Sequence, residues 1–215
     1  MTAGEVQIAK VTSDADIAAA AGVIGTAFAS LQASEWLLPD QDIKDVASIM
    51  ADVFAITVAH VVQHGVLYLA TDPADGGRGE AVGAAAWLDQ TWPDTGPPDY
   101  DNRLLAAAGA ARDRFAHLDS LFEQHHPTVP HYHLAFLGVL PDHQDRGIGT
   151  ALLHGHLAML DEKRIPAYLD ASNADSARLY KRHEFEPHSA EFALPNGATF
   201  IPMWRQPVSE FSTEL

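Results

Sequence analysis

Between Gly138 and Thr150 the chain reads Gly-Val-Leu-Pro-Asp-His-Gln-Asp-Arg-Gly-Ile-Gly-Thr. Such a run, where a strand hands over to a helix, has a chemical use. Gly147 and Gly149 lack a Cβ, so backbone amides can come close to a ligand, and at a helix N-terminus those amides point outward, where the macrodipole favours an anion. Arg146 adds a charge-assisted donor for a phosphate oxygen. In a chain this acidic, that basic residue is locally out of character, which favours a diphosphate site. A glycine-rich turn with no ligand is the other reading of these residues taken alone. A P-loop is excluded, because no Gly-Lys-Ser/Thr ending is present. A dinucleotide fingerprint fails twice: its third glycine position is Leu152, and seven residues separate Val139 from Gly147 where a tight turn is needed.

Further along, Asn173 is a good helix N-cap, with Asp175 in the first turn and Lys181 and Arg182 in the last. Tyr180 lies seven residues beyond Asn173, two turns on and nearly on the same face. A phenol of pKa ~10 carries its proton at neutral pH and can give it up; packing between helix and sheet is its structural alternative. His131 and His133 share one strand face, and Asp170 ends the neighbouring strand. Each is either a proton acceptor or a satisfied structural group. As metal ligands, His131 and His133 lack a recognisable third partner, and His154 and His156, two apart on a helix, cannot face one ion.

These residues need elements to hold them. Val6 and Ile8 alternate toward Lys10 and Val11 as a first strand, and Ser13 then caps a helix to about Ala29. A second helical pattern runs from Asp42 to about His64 and ends at Gly65. Val66–Ala70 and Ala81–Leu88 form a hairpin around a turn at Asp72–Gly79. From His131 the pattern is regular: strand His131–Val139, loop, helix Gly147 to about Lys163, strand Ala167–Ala171, helix Asn173 to about His183. Asn196-Gly197 then predicts a hairpin with positive φ at both central positions, between Phe192–Leu194 and Thr199–Trp204. Residues 89–130 are less regular. A Pro-rich loop precedes one helix-like stretch from Asn102 to His125, and the whole reads as an insertion on the substrate side, with Trp92, Tyr100, Phe115 and Phe122 as packing or as acceptor contacts.

At 215 residues, 47% of them hydrophobic, one domain over 1–215 is expected, large enough to bury roughly 70% of its unfolded surface without a staple. The absence of Cys excludes disulfides, thiolate zinc sites and Cys nucleophiles. Thirteen basic against 29 acidic residues give a formal charge of -16, which repels phosphate backbones and anionic lipid; nucleic acid and membrane are not expected partners, and a cationic small molecule is compatible. Neither a basic leader nor an apolar run opens the chain, and the stretch Ala18–Gly25 is far shorter than the ~20 residues of a span, so a cytoplasmic protein is expected.

Gln144-Asp-Arg-Gly147-Ile-Gly149, set after a strand and a Val-x-Pro-like turn, resembles the core motif of the GNAT superfamily of N-acetyltransferases. Pro141-Asp-His-Gln144, Ile165–Asn173 and Leu179–Phe185 look like its actinobacterial branch that includes puromycin N-acetyltransferase. The likeness is specific from about His131 to Phe185; upstream it is an agreement of element order. It implies an α/β fold with a mixed, mostly antiparallel sheet of about seven strands, splayed between strands four and five, and helices on both faces. It implies an enzyme with acetyl-CoA as cosubstrate and no metal, acting as monomer or homodimer. The amine of a small molecule would attack the thioester and expel a thiolate. By motif position, Leu137, Gly138 and Val139 would meet the pantetheine arm, Gln144, Asp145, Arg146, Gly147, Ile148, Gly149 and Thr150 the diphosphate, and Asn173, Ser176 and Tyr180 the rest of the cosubstrate, with Tyr180 protonating the thiolate. The base is left open among His131, His133, Asp170 and water. Protein lysine or N-terminal acetylation, and an acyl-CoA-binding module without turnover, are the alternatives. Glu184 stands where the family usually has Gly in the left-handed region after a helix, at a cost of ~1 kcal/mol.

Overall fold

The computed structural model describes residues 6–73, 79–93 and 95–208. In chain order the strands are β1 (Gln7–Val11), β2 (Gly65–Asp72), β3 (Glu80–Gln90), β4 (His131–Val139), β5 (Ala167–Ala171), β6 (Glu186–Pro187), β7 (Phe192–Ala193) and β8 (Thr199–Arg205). The helices are α1 (Asp14–Phe28), α2 (Gln32–Leu37), α3 (Ile43–His64), α4 (Tyr100–Ala108), α5 (Arg112–His125), α6 (Ile148–Lys163) and α7 (Ala174–Lys181). Among the described residues the sheet has eight strands in the order β1-β2-β3-β4-β5-β8-β6, with β7 paired to β8. Among the described residues, β4 and β5 are the parallel pair in an otherwise antiparallel sheet.

Alternation along the strands decides which helix covers which face. Leu67, Leu69, Ala84 and Ala86 pack with Val23 and Ile24 of α1 and Val58 and Val61 of α3. On the opposite face Ala85 and Trp87 pack with Leu152, Leu153, Leu157 and Leu160 of α6. Helix α3 is long and apolar enough by composition to cross a membrane, yet Val46, Met50, Val53, Ile56, Val58 and Val61 along it are buried within the protein.

The feature that shapes the site is the parting of β4 from β5. The two strands pair at Tyr132 with Ala167 and His133 with Tyr168, and there the pairing stops, although β4 continues to Val139. Immediately beyond, the partners of Ala86 and Trp87 on β4 are Phe136 and Leu134, so Ala135 is an extra residue opposite β3. A bulge of this kind bends the strand that carries it, and here it sits where β4 leaves β5.

Three sequence expectations need correction. The stretch from Asn102 to His125 is two helices, because Gly109 takes φ +52 and a short 3-10 turn over Gly109–Ala111 separates α4 from α5. Helix α2 was not foreseen; Ala33, Ser34 and Leu37 bury it, and six residues are too few for a clear period. In the last hairpin only Gly197 has positive φ, at +85. Pro195 fixes its own φ near -65°, which selects a three-residue loop in which Gly197 donates its amide to Leu194 O and Leu194 its own to Ala198 O, both at 2.8 Å. Glu184 does take the left-handed region, at φ +66, and Arg205 holds its carboxylate at 3.3 Å.

Candidate active site

The open edge of β4 is one wall of a groove of about 420 Å³. Leu140 donates its amide to Val82 O on β3, so by strand alternation Gly138 also faces β3, while Leu137 and Val139 turn their backbone groups toward the gap beside β5. Of the three residues expected to meet the arm, Leu137 and Val139 present backbone groups to the gap and Gly138 does not. Gly138 serves packing instead: a Cβ there would lie 3.1 Å from the Cα of Ile24, so its absence lets α1 approach β4. On the gap side, Val139 O already accepts from Gln144 Nε2 at 3.1 Å. Gln144 thus ties the loop to the strand with the group that was expected to meet phosphate.

Across the groove stands the start of α6. Asp145 and Gly147 take left-handed conformations, φ +58 and +79, and the first helical bond is Ala151 N to Gly147 O at 3.0 Å. The amides from Asp145 to Thr150 make no hydrogen bond to a described residue. Gly147 and Gly149 leave the cradle open, since a Cβ would meet nothing within 4 Å at Gly147 and only Leu179 and Leu137 side chains, at 3.4 and 4.0 Å, at Gly149. Asp145, Gly147, Ile148, Gly149 and Thr150 line the groove. Arg146 does not. Its guanidinium turns away to Asp72, a partly buried acid 3.3 Å distant, and the arginine that lines the groove is Arg182 at the end of α7, which also donates to Arg178 O at 3.3 Å. Free amides, a positive helix end and a neighbouring guanidinium fit a diphosphate; the unpaired edge of β4 fits an extended chain of amides.

Asn173 and Ser176 also line the groove, but both are partly committed to α7. Ser176 N donates to Asn173 Oδ1 at 2.8 Å and Asn173 N to Ser176 Oγ at 3.2 Å, a reciprocal cap that satisfies the start of the helix. The cap orients α7 so that Tyr180, two turns on, is 7% exposed with its ring edge-on to Phe185 at 5.9 Å. Its hydroxyl has no partner among the described residues, and burial pushes the phenol well above its ordinary value, so it is protonated at any neutral pH.

Tyr180 borders a second cavity as well, of about 280 Å³. The two spaces meet at Phe28, Leu31, Leu137, Ser172, Ser176 and Tyr180. Phe54, Phe115, Leu118, Phe122 and Phe136 make its walls largely apolar, and Asp170 and His133 bring polar groups to it. Asp170 accepts the Tyr168 hydroxyl at 2.8 Å. Burial raises its carboxyl to about 6, against the lowering effect of that hydrogen bond and of His125. His133 borders the cavity rather than bulk water, and burial, with His126 and His131 beside it, holds its imidazole well below the usual value. His131 borders neither space. It is 1% exposed, bonded through Nδ1 to Val129 O at 2.7 Å and packed against Tyr168 and Trp204, which removes it from the candidates for a base. Among the described residues no group of three or more His, Cys, Asp or Glu could hold a metal.

From residues 89–130, Tyr100, Phe115 and Phe122 line this cavity, while Trp92 is 76% exposed and takes no part. Asp119 lines it too and was not anticipated. One acid among many on a helix carries no local signal, and only the packing of α5 against α3 and α4 brings it there. Phe28 and Leu31, at the end of α1, were likewise read only as helix and loop.

The family profile described as "Acetyltransferase (GNAT) family" matches residues 75–185. Among solved structures, a "histone acetyltransferase HPA2 and related acetyltransferase" from Corynebacterium glutamicum ATCC 13032 is 24% identical at TM-score 0.69, covering 97% of this chain and 99% of its own. Arylalkylamine N-acetyltransferase 2 from Aedes aegypti is 13% identical at TM-score 0.60 over 95% and 100%. The NatC complex bound to Gag peptide and CoA gives 13% at TM-score 0.56 over 96% and 100%. The fold is theirs; their acceptors differ. With a splayed β4, an open α6 start and a profile match across half its length, the chain belongs to the acetyltransferase (GNAT) family.

Proposed function

We propose that this acetyltransferase moves the acetyl group of acetyl-CoA onto the amine of a small molecule. One observation carries the reading: an apolar cavity of about 280 Å³ meets the nucleotide-fitting groove at the Tyr180 phenol, beneath residues of α4 and α5. A pocket of that size and enclosure suits a compact organic amine better than a polypeptide. The resemblance to the puromycin N-acetyltransferase-like branch extends the proposal to a natural-product amine.

The amides of Asp145–Thr150 and the Arg182 guanidinium would hold the diphosphate, and the backbone of Leu137 and Val139 would hold the arm. Bound there, acetyl-CoA supplies an acetyl group activated as a thioester. An aliphatic amine, of ordinary pKa ~10.4, arrives as an ammonium and must lose a proton before it can attack. Asp170 is the group for this: a carboxyl raised to about 6 is roughly nine-tenths ionised at pH 7 and a stronger base than an ordinary carboxylate. His133, held neutral by burial, is the weaker acceptor and can relay a proton within the pocket. Tyr180 Oη holds its proton where the two cavities meet, the place at which a departing sulfur needs one.

The test is release of free thiol from acetyl-CoA over a panel of small amines and N-terminal peptides. Release with compact, apolar-bodied amines is expected. Release with peptides alone would reassign the protein to polypeptide acetylation, and calorimetric binding of acetyl-CoA without thiol from any acceptor would make it a non-catalytic module.

A further inference from the structure

Among the described residues the acceptor cavity has two carboxylates, and moving the amine proton employs only Asp170. The other, Asp119 of α5, lines the cavity together with Phe115, Leu118, Phe122, Met50 and Val53. Tyr100 of α4 donates its hydroxyl to Asp119 Oδ2 at 2.8 Å, while Oδ1 receives no hydrogen bond from a described residue. No Lys or Arg among the described residues lines the cavity, and Asp119 makes no ion pair with a described residue. A carboxylate withdrawn from water among aromatic rings is costly unless a cation or donor meets it. Burial accordingly raises its carboxyl to about 6, with Asp101 adding to the rise and the Tyr100 hydrogen bond opposing it, so at pH 7 it is mostly ionised. The position is held by Tyr100 and is complete except for a positively charged partner.

We propose that Asp119, oriented by Tyr100, is a specificity-determining residue that binds a second, protonated nitrogen on the acceptor, so that the preferred substrates are diamines with an apolar, ring-containing spacer. Asp119 and Asp170 line one cavity of about 280 Å³ together with Phe54, Phe115, Phe122 and Phe136, so an acceptor with a nitrogen at each end and an apolar ring between them matches the chemistry of its walls. The acetyl-transfer reading enters only in deciding which nitrogen reacts; capture of the second nitrogen is a binding property.

Calorimetry on the full chain saturated with CoA compares 4-(2-aminoethyl)benzylamine with 2-phenylethylamine. The diamine is expected to bind about ten-fold or more tightly, as for a hydrogen bond to a charged group, and Asp119→Asn is expected to bring the ratio of the two affinities close to one. Tyr100→Phe guards against a misfolded first variant: it leaves the carboxylate but removes the hydrogen bond that favours its ionised form, so the preference should fall at pH 6.5 and recover at pH 8. Equal affinities in the wild type, no binding of either amine, or a preference that survives Asp119→Asn overturns the proposal. Thiol release from acetyl-CoA is read separately. Diamine preference without thiol release supports the Asp119 site and refutes acetyl transfer; thiol release without preference does the reverse.

Discussion

Asp170→Asn should raise stability while removing activity, and the pH dependence of both effects follows from one carboxyl. Folding lifts Asp170 from 3.8 to about 6, chiefly by burial. Between those values the folded protein binds more protons than the unfolded chain, so stability falls as pH rises through the window, and the full cost of ionisation is present above it. At 1.36 kcal/mol per unit, the cost is about 3 kcal/mol at pH 8 and about half that at pH 5. Asn keeps an oxygen to accept the Tyr168 hydroxyl but cannot ionise. In urea denaturation the variant is therefore expected to gain up to ~3 kcal/mol at pH 8 and clearly less at pH 5. In thiol release the same variant should lose on the order of 10²–10⁴-fold in kcat/KM, the span of general-base catalysis, and with it the acidic limb near pH 6 that the wild type should show. A variant with equal stability changes at both pH values, or one that retains the acidic limb, would refute Asp170 as a buried base.

Tyr180→Phe should lower kcat by about 10²-fold with little change in CoA affinity by calorimetry, because only the proton donor is removed; an unchanged kcat would make Tyr180 a packing residue. Arg182→Ala should weaken CoA binding several-fold, as for one charge-assisted hydrogen bond, whereas Arg146→Ala should have a smaller effect, because Arg146 turns toward Asp72; the reverse ranking would show that the loop rearranges around the nucleotide. Arg205→Met should cost about 1–3 kcal/mol in denaturation experiments near neutral pH, the cost of leaving its partners unbonded. Arg205 is buried, paired with both oxygens of Asp161 at 2.7 Å, and bonded to His183 O at 3.0 Å. Burial pushes the Asp161 carboxyl up, but the Arg205 bonds outweigh it and leave the group below its ordinary value, so the pair's contribution should fade as pH drops below about 4.

Much of the framework is local in origin and was therefore legible. Ser13 caps α1 by accepting Asp16 N at 3.2 Å, β4 and β5 run over the spans their apolar residues mark, and the Asn173 cap starts the helix that carries Tyr180. Short-range rules also misled where two of them met. Asn196-Gly197 alone predicts one turn, but Pro195 before it imposes another. Gly109, inside an apparently continuous helix, takes a backbone angle that its neighbours could adopt only at a cost.

What the sequence by itself determined is the chemistry that fits within a turn or two of backbone: glycines that keep amides free at the start of α6, a capped α7, and a phenol set two turns along it. Only the tertiary structure decided which side chains face that phenol. Arg146 is drawn off by Asp72, 74 residues away, His131 is enclosed by Tyr168 and Trp204, and Asp119 and Asp170, 51 positions apart, come to border one cavity. The reason is physical. Caps, turns and helix faces depend on neighbours a few residues distant, which a chain carries in its order. Charge partners and desolvation depend on which distant segments exclude water from a common space, and that is fixed when α5 packs with α3, α4 and the Phe192–Phe200 hairpin around the cavity.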